Sequence, residues 1–372
     1  MDARGGLFCP SAAENAAFWQ AAAACKIKKM LNNFFKKLYN RIHRPKEAGP
    51  AGLAARGGEM AAQYTHQIIA ETILAQLPAE ARAAVSDLPA YYLGAQGPDV
   101  FYFFRLVTPR GGNLGKHLHN REVYRTFSAM CEELRGEARE NPSALSYALG
   151  FVVHYAGDTV FHPFVYGTMR KLIAAHPKSR IRWHAYIESD IDSYIIRKER
   201  GVPVTEYVSP LREGEIDAPA LAPFLSRVCA ACGLKPFSER LFRRGVHRYF
   251  LFERTFTDRA QRRRKWLFAA ENVLFCQHAF SSLCRRTEED PRCINAAGEE
   301  WANPSDPAFC SCEGADALFA RSVREGVRLI GEFLAALGGA PLPKEDFDKG
   351  FLSGVSSALP HIKPEKGESL ER

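Results

Sequence analysis

The chain has 372 residues, 46% of them hydrophobic and 25% charged, and a formal net charge of +8. That is ample chain for a buried core, with room for two compact regions, and the balance is ordinary for a globular protein. No stretch approaches the roughly 20 apolar residues of a membrane-spanning helix, which excludes that class, and the positive charge suits an anionic partner without choosing one.

Residues 1–59 read as an extension. Ile27, Leu31, Phe34, Leu38 and Ile42 recur at helical spacing, with Lys28, Lys29, Lys36, Lys37 and Arg41 on the remaining surface. A basic amphipathic helix of this kind lies in the headgroup layer of an anionic membrane or docks on the protein's own core, and the pattern leaves both open. Residues 45–58 are rich in Ala, Gly and Pro and read as a linker. Met1, Met30 and Met60 are alternative starts. The Ala21–Cys25 run is too short, and too poor in preceding apolar and basic residues, for a secretory signal. The default location is therefore the cytoplasm, with peripheral contact at a membrane face as its extension.

From residue 60 onward the pattern is helical nearly throughout, with 3.6-residue periods broken at Gly/Pro clusters. We divide it into a core at 60–215, a C-terminal helical region at 216–340 packed on that core, and a tail at 341–372. There is no fixed-period repeat and no Gly-rich phosphate loop. Thr65 and His66 open an amphipathic segment that carries Ile68, Ile69 and Ile73. Gly97, Pro98 and Asp99 precede the aromatic run Phe101–Phe104; alone, Asp99 is as good a helix cap as a ligand. His117 and His119 follow a Gly-rich turn, where the plain reading is a solvated loop pair.

The densest chemistry lies between 154 and 188. His154, Asp158 and His162 stand at i, i+4 and i+8, so on a helix they share one face. His184 and Glu188 repeat the i, i+4 device further on. A single His on an apolar helix is usually a core residue with one hydrogen bond. Two such arrays amid Leu149, Phe151, Val152, Val160 and Phe161 are different, because buried ionisable groups are costly unless paired or metal-bound. Imidazole and carboxylate are zinc donors. Asp190 and Asp192 sit where they would hold a ligand's second ring nitrogen, or form a solvated face.

The downstream half carries less. Ten cysteines without a secretory signal read as reduced thiols, and Cys229/Cys232 and Cys310/Cys312 as structural ones. Residues 240–265 hold a basic run (Arg240, Arg243, Arg244, Arg248, Arg262–Lys265) interleaved with aromatics. It is either a solvated basic helix face or a cradle for phosphate-rich ligands, lipid headgroup or nucleic acid. Trp301–Pro304 reads as a turn with a packed aromatic, and the chain from about Pro360 as frayed.

Taken in order, Tyr64-Thr-His66, Gly94-Ala-Gln-Gly-Pro-Asp99, Leu118-His119, His154-x3-Asp158-x3-His162-Pro163 and His184-x3-Glu188 resemble the zinc-dependent phospholipase C family. The resemblance runs from about Tyr64 to Asp192. It implies an all-α, multi-helix bundle of the phospholipase C/P1 nuclease type, with a metal site between helices. It implies two or three zinc ions: Asp99, His119, His154 and Asp158 around one, His162, His184 and Glu188 around a second, and His66 with bridging Asp158 at a third. Two features depart from the secreted members. No Trp lies just before His66 to complete the third site, and the step from Asp158 to His162 is two residues shorter.

The implied activity is hydrolysis of phospholipids by metal-activated water, with Asp99 orienting or deprotonating that water. The alternatives are a single-strand nuclease of the related P1/S1 type, with nucleic acid the less favoured substrate, and a non-catalytic metal protein that binds a membrane or partner.

Overall fold

In the computed structural model, the described residues are 63–104, 114–136, 140–177, 179, 181–273 and 280–359, with 362–363 and 368–369. The chain divides into units at residues 1–58 and 59–372, and the description that follows concerns the second. The expected helix at Ile27–Ile42 and the linker at 45–58 lie outside the described residues.

The architecture is all-α. In chain order come α1 (Gln63–Gln76), α2 (Ala79–Ala83), α3 (Leu88–Gly94), a 3-10 turn (Gly97–Phe103), α4 (Leu114–Asn120), α5 (Val123–Arg135) and α6 (Pro142–Ala175). There follow α7 (Trp183–Arg200), α8 (Ala218–Ala231), α9 (Glu239–Thr257), α10 (Arg262–Val273), the small antiparallel hairpin β1 (Trp301–Asn303) and β2 (Asp306–Ser311), α11 (Ala315–Leu337) and α12 (Lys344–Phe347). Trp301, expected as a packed aromatic beside a turn, is buried at the start of that hairpin.

The 34-residue α6 is the axis of the body, and its sequence explains why. It is apolar on every side, so it must be covered on every side. The helices α1, α3, α7, α8 and α11 do so, together with β1. Asn141 caps its start by accepting from the Ala144 N–H at 3.0 Å, and Pro142 follows at a position where its missing N–H costs nothing. Contact with α3 is closest where two glycines face the partner backbone. A Cβ on Gly150 would fall 2.0 Å from the Tyr91 carbonyl oxygen, and one on Gly94 would fall 2.1 Å from that of Tyr147.

One hydrophobic core runs from Tyr64 to Leu352, so residues from α8, α9, α11 and the segment after α12 share it with α1 to α7. Phe347, Phe351 and Leu352 are buried in it, against Phe127 and Tyr155. Among the described residues no helix is long and apolar enough to cross a membrane.

Candidate metal centre

Five elements deliver the eight candidate side chains. His66 comes from the first turn of α1, Asp99 from the 3-10 turn, His119 from α4, His154, Asp158 and His162 from one stripe of α6, and His184 and Glu188 from the first two turns of α7. All eight are buried, His154 completely. They meet in three groups whose donor atoms lie within 4.8 Å of one another: His66, His154 and Asp158; Asp99, His119 and His154; His162, His184 and Glu188.

Asp158 is the hub. Its carboxylate lies 3.0 Å from His154 Nε2, 3.1 Å from His66 Nε2, 3.5 Å from His162 Nδ1 and 3.6 Å from His119 Nε2. Asp99 approaches His119 Nε2 at 3.3 Å. At the other end Glu188 lies 3.0 Å from His184 Nε2 and 3.3 Å from His162 Nε2. The His66 and His154 rings stack at 4.2 Å, as do those of His162 and His184 at 5.4 Å. A cavity of about 10 Å³, lined by His66, Asp158, His162 and Glu188, lies between these ends.

Backbone carbonyls fix three of the rings. His119 Nδ1 is 2.8 Å from the Gly115 carbonyl, His154 Nδ1 is 3.1 Å from that of Ala95, and His162 Nδ1 is 3.0 Å from that of Phe351. A ring whose Nδ1–H is held by a carbonyl presents its bare Nε2 as a donor, an arrangement common to metal-ligating imidazoles. Gly97 makes room for this. Its φ is +49°, and a Cβ there would fall 2.3 Å from the His154 ring.

The two aspartates in the middle of α7 hold other groups. Asp192 accepts from the Tyr64 and Thr65 N–H groups and the Thr65 hydroxyl, and pairs with the buried Arg285 at 3.0 Å. It therefore clamps the start of α1, one residue before His66. Asp190 pairs with Arg286 and accepts from the Asp290 N–H. Neither forms a solvated face; both are fully buried.

The electrostatics are those of a cation site. Burial alone would push the Asp158 carboxyl up, yet His154 and His162 hold it well below the usual range. Burial likewise raises Glu188, but His184 and His162 bring it down to about 2. The imidazoles respond unequally: burial lowers His162, but Asp158 and Glu188 carry it up to about 10, whereas for His154 burial prevails and holds it below its ordinary value.

The donors fit zinc. His154 Nε2, Asp158 Oδ2, Glu188 Oε2 and both ring nitrogens of His184 are buried and make no well-angled hydrogen bond, although His154 Nε2 stands 3.0 Å from Asp158 Oδ2 and His184 Nε2 3.0 Å from Glu188 Oε1. Leaving such atoms unsatisfied costs about 1–3 kcal/mol each, and imidazole and carboxylate together are zinc's usual oxygen and nitrogen donors. Among the described residues no cysteine belongs to such a group. Cys229 and Cys232 are buried, whereas Cys310 and Cys312 are exposed.

Sequence reasoning missed the environment of these donors. The Ala95, Gly115 and Phe351 carbonyls carry no side-chain signal. The Phe351 ring, 5.4 Å from His119 and 5.8 Å from His154, belongs to a segment read as tail. The one available hint was the apolar content of Phe347, Phe351 and Leu352.

Residues 65–231 match the family model described as zinc dependent phospholipase C. The match encloses all eight candidate donors. No curated protein and no solved structure matches the chain. The matched segment and its buried His/Asp/Glu groups suit a metal-dependent hydrolase.

Proposed function

We propose that this chain, which belongs through residues 65–231 to the zinc-dependent phospholipase C family, hydrolyses the phosphodiester bond of phospholipids. The observation that carries the proposal is the gathering of eight buried donor residues from five elements into three adjoining groups, within that matched segment. Zinc bound there would neutralise phosphate oxygens and bring the acidity of a water molecule toward neutrality.

The chain's own residues supply the rest. Asp99, His119 and His154 form one ligand group, His162, His184 and Glu188 a second, and His66 with Asp158 a third that shares His154. Asp158, ringed by four imidazoles, balances their charge and bridges the ends of the chamber. We assign to Asp99, the least buried of the eight at 8% exposure, the role of orienting water and taking its proton. Thr65, Phe161, Val165 and Ile191 line the chamber beside the ligands and restrict bulk water.

Release of a phosphorylated headgroup and diacylglycerol would place the protein peripherally at a membrane. Phosphatidylcholine, phosphatidylethanolamine and phosphatidylinositol vesicles, each assayed with zinc-loaded protein, test the reading. Zinc-dependent release of a phosphorylated headgroup, lost in Asp99→Asn, supports it. Cleavage of single-stranded DNA in place of lipid would assign the site to the nuclease reading. Tight zinc without hydrolysis of either would make the metal structural.

A further inference from the structure

Beside the metal centre, α9 carries a charge pattern that the chemistry does not use. Arg240, Arg244, His247, Leu251 and Arg254 stand at i, i+4, i+7, i+11 and i+14, so they form one stripe, and all five are exposed. The opposite face is buried through Phe242, Val246, Tyr249 and Phe250. The helix is firmly placed: Tyr249 donates to Gln96 Oε1 at 2.8 Å and Arg248 to the Phe103 carbonyl at 3.1 Å, both next to the turn that carries Asp99. The stripe therefore sits on a rigid element tied to the candidate centre.

An open groove of about 1200 Å³ runs along it, walled by Arg240, Arg244 and His247 on one side and by Glu213 and Gly214 on the other. Its acidic members are Glu213, engaged by His247 at 2.7 Å and Arg254 at 3.5 Å, and Glu239, engaged by Arg243 at 2.6 Å. Among the described residues, neither Arg240 nor Arg244 has an ion pair.

Apolar side chains are exposed within this basic surface. Leu251, 52% exposed, lies between His247 and Arg254 on the stripe. Val208, 60% exposed, lies on the loop that leads to Glu213 and is tied to the end of α9 by the Arg259 bond to the Tyr207 carbonyl. Around the corner, Arg263 of α10 donates to the Arg254 and Thr255 carbonyls, and Trp266 is 68% exposed one turn on. Arginines reach phosphates, and aliphatic side chains exposed beside them bury in the acyl boundary of a lipid layer.

The geometry points to the α9 stripe, with the α9–α10 corner, as a docking surface for an anionic phospholipid bilayer. The Arg side chains engage headgroup phosphates, and Leu251 and Val208 enter the boundary below them. Charge complementarity selects the anionic leaflet; the aliphatic pair selects a bilayer over a nucleic-acid strand. This deepens the lipid-directed reading of the centre and rests on it for the choice of a lipid surface. Its test reads binding alone, so its failure is separable from a failure of hydrolysis.

The full chain is sedimented with phosphatidylcholine vesicles that carry, or lack, about one-third phosphatidylserine, and melting curves are recorded for every variant. Binding is expected only with phosphatidylserine. A basic side chain near an anionic leaflet is worth about fivefold in partitioning, so Arg240→Gln/Arg244→Gln should lower binding about 25-fold. Leu251→Asn should also lower vesicle binding and leave binding of a fluorescent single-stranded oligonucleotide unchanged. Unchanged vesicle binding in both variants overturns the proposal. So does loss of oligonucleotide binding alone, which would make the stripe a nucleic-acid contact.

Discussion

The Asp192 carboxylate accepts from both the backbone N–H and the hydroxyl of Thr65, at 2.7 and 2.8 Å. Two residues 127 apart in sequence thereby fix the start of α1, where four N–H groups have no helical partner. The capping residue comes from α7, the helix that also carries His184 and Glu188. His66 is thus registered against the rest of the chamber by a bond its own segment does not encode.

Removing that clamp should be costly. Asp192→Ala takes from the buried Arg285 guanidinium the carboxylate that stands 3.0 Å from it, and breaking a buried pair from one side costs about 3–5 kcal/mol. Thermal or urea unfolding should show this loss. Asp192→Asn, which keeps the shape but not the charge, should lie between. An Asp192→Ala protein as stable as the parent would show that the clamp does not hold α1.

Gly97→Ala should strike the centre through its backbone. The position has positive φ, and the new methyl would fall on the His154 ring. We expect a lower melting temperature and weaker zinc binding together. Normal zinc affinity in this variant would mean that the turn before Asp99 can shift without moving His154.

Phe351→Ala tests the segment that follows α12. Phe/Trp→Ala changes in cores cost about 3–5 kcal/mol, and this ring packs on His119, His154 and Tyr155. Stability should fall in that range by chemical denaturation. Little change would show that the ring adds little to the core beside His119 and His154.

Protons and zinc should compete. His162 is carried up to about 10 by Asp158 and Glu188 against the effect of burial, so near neutral pH the metal-free chain holds a proton there. A nitrogen must lose its proton to coordinate, so zinc uptake releases protons and affinity weakens as pH falls. Titration calorimetry in two buffers of different ionisation enthalpy should give different apparent heats. Identical heats would argue against imidazole coordination.

The helical fold and five of the eight candidate donors, those on α6 and α7, were legible because they are periodic. His154, Asp158 and His162 advertise themselves at i, i+4 and i+8, and the apolar residues around them mark α6 as buried. What periodicity could not supply was long-range. The carbonyls of Ala95, Gly115 and Phe351 that orient the rings look like any other backbone. Asp192 and Asp190 read as candidates to hold ring nitrogens, yet Asp192 holds a helix start and Asp190 holds Arg286, since partners so far apart in sequence leave no local signal. His119 looked like half of a loop pair because a seven-residue helix is too short to show a period.

Paired substitutions separate the ends of the centre. Asp158→Ala should release zinc and lower the melting temperature, because Asp158 touches four imidazoles. Glu188→Ala should weaken only the group with His162 and His184. Equal loss from both would indicate one cooperative cluster, and no loss from Asp158→Ala would remove it as a ligand.

The most direct measurement is zinc per chain, by elemental analysis of protein purified without chelators or an affinity-tag metal. The account predicts two or three ions per chain, with fewer in His154→Ala. Little or no metal, even after zinc is added back, would contradict it.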